Sequence, residues 1–98
     1  MKVDINGKEY LFQISGFAPF YAYEVIEGEP FQGGTTRSGH VLMYATLLVN
    51  NVGVEKPSME EFVAWLYENP AQEEALAKMI SDELKRRAEL LGAGKKKE

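Results

Sequence analysis

KVDINGKEYLFQISGFAPFYAYEVIEGEPF, residues 2–31, decides the fold. Asn6-Gly7 is the dipeptide that tolerates positive φ at both centres of a two-residue type I′ turn, and such a turn fixes the register of the strands on either side. Ile5 then lies opposite Lys8, Asp4 opposite Glu9, Val3 opposite Tyr10 and Met1 opposite Phe12. One side of the hairpin carries Met1, Val3, Ile5, Tyr10, Phe12 and Ile14 and is expected to be buried. The other carries Lys2, Asp4, Glu9 and Gln13, with Leu11 an apolar exception and Asp4 against Glu9 slightly unfavourable. A two-stranded hairpin is marginal alone, so it must lie against helices.

Pro19 suits the first turn of a helix, where its missing N–H is no loss, which predicts a helix over about 18–27 stopped by Gly28. At 100° per residue Phe17, Ala18, Tyr21, Ala22 and Val25 form one broad apolar face, expected to point inward. Phe20 and Tyr23 share the opposite side with Glu24 and Glu27. GEPFQGGTTR, residues 28–37, reads as a mobile loop with Phe31 as its one anchor candidate. Ser38 is then expected to cap a helix over 38–50, in which Val41, Leu42, Met43, Tyr44, Ala45, Leu47, Leu48 and Val49 cover nearly the whole circumference; such a helix is central.

Asn50, Asn51, Gly53 and Pro57 make a connection, and Ser58 with Glu61 forms a capping box opening a helix over 58–68. Its inward face is expected to be Met59, Phe62, Val63 and Leu66, with Trp65 toward Glu61 and Glu68. Asn69-Pro70 starts a fourth helix over 70–91, with Gly92 as its cap. Leu76, Ile80, Leu84 and Leu91 line one stripe of it, and Glu74–Lys78, Asp82–Arg86 and Glu83–Arg87 are i,i+4 pairs. Residues 93–98 read as a disordered basic tail. The expectation is a single α+β domain over 1–92, mainly α: an antiparallel hairpin, residues 2–14, packed on a bundle of about four helices.

Ninety-eight residues suffice for one core, burying roughly 65% of the unfolded chain's surface. The chain has no cysteine, which excludes disulfides, a thiolate nucleophile and zinc-thiolate chemistry and fits a reducing cytoplasm. Neither a signal-peptide pattern nor an apolar run of membrane-spanning length occurs, so a soluble protein is expected. Residues 85–98 carry a charge of +4 and residues 1–84 a charge of −8. An acidic body argues against nucleic acid as the main partner, since phosphate binding needs a basic face.

His40 is the only histidine, with Ser38 two residues before it and no partner carboxylate at a family-specific spacing, so a catalytic triad has nothing to rest on. It is expected near a helix N-terminus, solvated or partly buried. Glu60-Glu61 and Glu73-Glu74 lie in the first turns of helices, where the macrodipole favours negative charge. Gly33-Gly34-Thr35-Thr36-Arg37 lacks the Gly-Lys-Ser/Thr ending of a phosphate loop and does not follow a strand. No catalytic, metal-binding or cofactor-binding residue is expected. Phe20, Tyr23, Phe31 and Trp65 are large groups that the helical wheels leave outside the core. They have two readings: partner-binding anchors, since aromatics are enriched at interfaces, or core residues covered by loops and termini.

In its order of features the chain resembles the tail assembly chaperones of long-tailed bacteriophages and prophages. The features are the INGKEY hairpin, the FAPFYAYEVIEG helix closing in Glu27-Gly28, Phe31 after it, the apolar helix VLMYATLLVNN and the short acidic helix SMEEFVAWLYENP, over about residues 3–69. The resemblance implies a non-enzymatic role: binding the long, helical tape measure protein, recruiting tail tube subunits to it, and leaving before the virion is complete, all in the cytoplasm of the bacterial host. In that family the gene often ends in a programmed frameshift. Lys95-Lys96-Lys97 fits an A-rich slippery run, which the codons for residues 94–97 would settle. The rival readings are a structural virion adaptor or tail completion protein, and a small ligand-binding domain or enzyme. Two surfaces offer themselves for homo-oligomerisation, the fourth helix and the open edge of the hairpin.

Overall fold

The computed structural model describes residues 1–14 and 16–95, with side chains as far as Leu90. In chain order it contains β1 (Lys2–Ile5), β2 (Lys8–Leu11), α1 (Ala18–Glu27), α2 (Thr36–Asn50), α3 (Met59–Glu68) and α4 (Pro70–Lys95). This is an α+β fold, mainly α, with one two-stranded antiparallel sheet followed by four helices. No helix among the described residues is long and apolar enough to cross a membrane.

The hairpin turns at Asn6 (φ 53°) and Gly7 (φ 89°), the left-handed conformations that a type I′ turn requires. Asp4 Oδ1 accepts the Gly7 N–H at 2.9 Å, and the strands pair in the expected register, Ile5 with Lys8 and Val3 with Tyr10. Val3, Ile5, Tyr10 and Phe12 are buried and Ile14 packs against them. Met1 departs from that face's expectation and is 44% exposed; it lines an open cleft with Met79, Asp82, Glu83 and Arg86 of α4. Asn50 and Asn51, expected only as part of a connection, fasten the hairpin to α2. The Asn51 amide accepts the Leu11 N–H at 3.1 Å and donates to the Leu11 carbonyl at 2.9 Å, while Asn50 Nδ2 donates to the Gln13 carbonyl at 2.8 Å.

α2 is the central helix: Val41, Leu42, Met43, Ala45, Thr46 and Leu47 are all buried. It starts two residues earlier than expected. Thr35 is the cap, its hydroxyl accepting the Ser38 N–H at 3.0 Å, and Ser38 returns a bond to the Thr35 N–H at 3.3 Å. Serine thus does here what Glu or Gln does in the usual capping box. α3 opens on Ser58 and Glu61 as expected. The Ser58 N–H and hydroxyl hold the Glu61 carboxyl below its ordinary range. Phe62 and Leu66 are buried, whereas Met59 and Val63 are half-buried.

Asn69 ends α3 and Pro70 starts α4, which continues through Gly92 to Lys95. A glycine in a helix costs about 1 kcal/mol relative to alanine but does not forbid it, and no proline follows to stop the helix. The expected tail therefore loses residues 93–95 to α4, and 96–98 lie outside the described residues. Leu76 and Ile80 are buried and Leu84 packs beside them; the Leu91 side chain lies outside the described part. Glu83 pairs with Arg87 as expected, but Lys78 takes Asp82 rather than Glu74, and Arg86 takes Glu83 rather than Asp82. The exposed Lys78–Asp82 pair is of the kind that exchanges at little free-energy difference, whereas Glu83 and Arg87 are half-buried.

Candidate functional site

α1 packs mainly on α2, and it does so with the face opposite to the one its helical wheel suggested. Pro19 and Tyr23 are buried and Phe20 is half-buried against the core. Phe17, Tyr21 and Val25, expected inward, are 64%, 65% and 84% exposed. The cause is that α1 is apolar nearly all round, with Glu24 and Glu27 as its only charges. Its own pattern therefore cannot say which side is in.

Three contacts outside the helix decide the matter. Phe31 folds back from the loop and meets Tyr23 and Phe20 edge-on, with ring centroids 5.1 and 5.9 Å away. Arg87 of α4 donates to the Gly16 carbonyl at 2.6 Å and lies over the Phe20 and Phe17 rings at 5.1 and 5.4 Å. Arg37, in the first turn of α2, grips the Glu27 carboxylate with two bonds of 2.8 and 3.2 Å. Glu27 is thus half-buried and paired, not a marker of the solvent side. Burial, helped by the negative charges of Glu27 and Glu29, raises the Tyr23 hydroxyl pKa and keeps it neutral.

The four residues expected as partner-binding anchors fall on the inner side. Tyr23 and Trp65 are 4% and 6% exposed, while Phe20 and Phe31 are half-buried and pack against the core. Trp65 stacks on Phe62 at 6.0 Å, which in turn stacks on Phe12 at 6.1 Å. Phe20, Tyr23 and Phe31 meet directly, whereas Trp65 lies elsewhere in the same core, on Phe62. The packing thus turns all four toward the core, whereas the helical wheels leave them outside it.

The outer surface belongs instead to Phe17, Tyr21 and Val25. At i, i+4 and i+8 they stand in one row on α1, spanning about 12 Å, with the Phe17 and Tyr21 rings 6.3 Å apart. Exposed Glu24 borders the row on one side and exposed Ala18 lies on the other. A row of large apolar groups facing water on a helix whose opposite face already serves the core is the form of a docking surface. The signal available in the sequence was Phe31, which can cover only one side of α1, and Arg37, which can neutralise Glu27.

His40 also differs from expectation. It is 6% exposed, its Nε2 is paired with the Glu73 carboxylate of α4, and Tyr67 meets its ring edge-on at 5.8 Å. The partner carboxylate was invisible in sequence because it lies 33 residues away. The Ser38 hydroxyl is occupied by the cap, donating to the Thr35 carbonyl at 2.8 Å. Glu27, His40 and Glu61 line three separate cavities. No three His, Cys, Asp or Glu among the described residues converge in a way that could hold a metal ion. No family model, curated protein or solved structure matches the chain.

Proposed function

We propose that this chain is a non-enzymatic assembly chaperone of the kind found in long-tailed bacteriophages. It binds the helical tape measure protein and recruits tail tube subunits in the host cytoplasm, and it is absent from the mature virion. Two things support the reading: the resemblance over residues 3–69, and the outward row Phe17, Tyr21 and Val25, the single observation that carries it.

The row suits a helical client for a physical reason. An amphipathic helix laid along α1 covers the three side chains with its own apolar stripe, each fully buried group contributing about 1.5–3 kcal/mol before the cost of association. Contact with one copy is therefore weak. A long client that engages many copies in succession gains through multivalency what one contact lacks. Glu24 beside the row favours clients with lysine or arginine flanking the apolar stripe, and the acidic body keeps the loaded complex soluble.

Co-expression with a tape measure protein tests this, the candidate being the product of a very long, helix-rich reading frame beside the gene for this chain. The reading expects that protein to be soluble and to co-purify with the chain, and expects mass spectrometry of purified particles to find the chain missing. Stoichiometric presence in particles would favour the adaptor reading instead.

A further inference from the structure

The hairpin has two outer edges, and the fold treats them differently. In the register Ile5–Lys8 and Val3–Tyr10, the pair that closes a two-residue turn exchanges both of its hydrogen bonds, and pairs alternate from there. Met1 and Phe12 continue the bonded series, at 2.7 and 3.0 Å. On β2 the outward groups are accordingly those of Glu9 and Leu11, and the Asn51 amide meets both groups of Leu11. On β1 the outward groups are those of Lys2 and Asp4. Nothing among the described residues bonds them, and both residues are exposed.

We propose that β1 pairs antiparallel with β1 of a second copy, joining two hairpins into one four-stranded sheet about a two-fold axis. Three registers bring the outward backbone groups of Lys2 and Asp4 into bonded pairs with the same residues of the other copy. One sets Lys2 against Lys2, one Asp4 against Asp4, and the third sets Lys2 against Asp4 twice. Like charges directly opposite are unfavourable and opposite charges favourable, so the third is selected. It is also the one that satisfies all four N–H groups and carbonyls of each pair of residues. Val3 then faces Val3 of the second copy across the axis. On the same inner side Met1, 44% exposed in the single chain, faces Ile5 of the second copy. A lysine on a short edge strand ordinarily discourages pairing; here Asp4, two residues on, supplies its counter-charge. About five residues per copy make a small interface, and the dimer is accordingly weak and concentration-dependent.

The test uses the isolated chain and no client, so its outcome is independent of the chaperone reading. The protein has no cysteine, and Val3→Cys places one thiol per copy in a non-bonded antiparallel pair, where Cβ atoms are about 4.5–5.5 Å apart and close enough to bridge after a small adjustment. Under mild oxidation Val3→Cys should form a disulfide-linked dimer, whereas Ile5→Cys, which faces Met1, should not. Sedimentation velocity of the unmodified chain should show a monomer–dimer equilibrium. Lys2→Pro, which removes an outward donor and no bond within the hairpin, should weaken that equilibrium at least about tenfold with an unchanged circular dichroism spectrum. A chain that stays monomeric at all concentrations, a dimer indifferent to Lys2→Pro, or equal cross-linking by the two cysteine variants overturns the proposal.

Discussion

The hairpin and α1 lie side by side in the sequence and are both rich in apolar residues, yet one declares its buried face and the other conceals it. In the hairpin, polar residues alternate with apolar ones, and the Asn6-Gly7 turn pins which lie together. A one-residue slip would bury Lys2 and Asp4, so only one arrangement is tolerable. In α1 either face can be buried at similar gain, and Phe31, Arg87 and Arg37 choose. An element apolar on both sides leaves one apolar side over. On α1 that remainder is the row Phe17, Tyr21 and Val25, and it is the surface to which we assign function.

The contrast is broken most severely at the hairpin's inner face. Phe12 is 0% exposed and stacked on Phe62, so Phe12→Ala should destabilise the fold by about 3–5 kcal/mol, read by urea denaturation. Next comes the residue that orients α1. Phe31→Ala removes the ring packed on Tyr23 and Phe20 and should cost about 2 kcal/mol. It should also raise hydrogen exchange in α1 while leaving the hairpin amides protected.

Acid sharpens the same distinction. Hydrogen bonds from Arg86 and Arg87 lower the Glu83 carboxyl from its ordinary 4.5 to about 2. A carboxyl whose pKa is depressed in the folded state contributes stability that is present above pH 4.5 and lost as the pH falls toward 2. Because Glu83 holds Arg87, and Arg87 lies over Phe17 and Phe20, this loss should loosen the start of α1 before the hairpin. Glu83→Gln should flatten the fall of melting temperature in that window, measured by scanning calorimetry against pH.

The central helix, the Ser58–Glu61 capping box and the hairpin register were legible because each is local: a run apolar all round, a three-residue spacing, a turn dipeptide. What escaped was long-range. Asn51 reads as a loop residue until Leu11, forty positions away, supplies the backbone groups it bonds. His40 reads as unpartnered until Glu73 arrives on another helix. Phe20, Tyr23, Phe31 and Trp65 read as outward because a helical wheel knows only its own helix. Periodicity identifies a buried face by the polarity of the other, and where that polarity is missing it has no purchase.

The smallest expected effect on stability is also the most direct test of the account. Tyr21→Asp with Val25→Asp alters only the outer row of α1. If that row faces water and docks the client, the double variant should melt within about 4–8 °C of the unmodified chain, the shift expected from roughly 1 kcal/mol. The co-expressed tape measure protein should meanwhile pass from the soluble fraction to the pellet. A melting temperature lowered far beyond that range would mean that Tyr21 and Val25 are buried. A client that stays soluble and bound would mean that α1 is not where it docks.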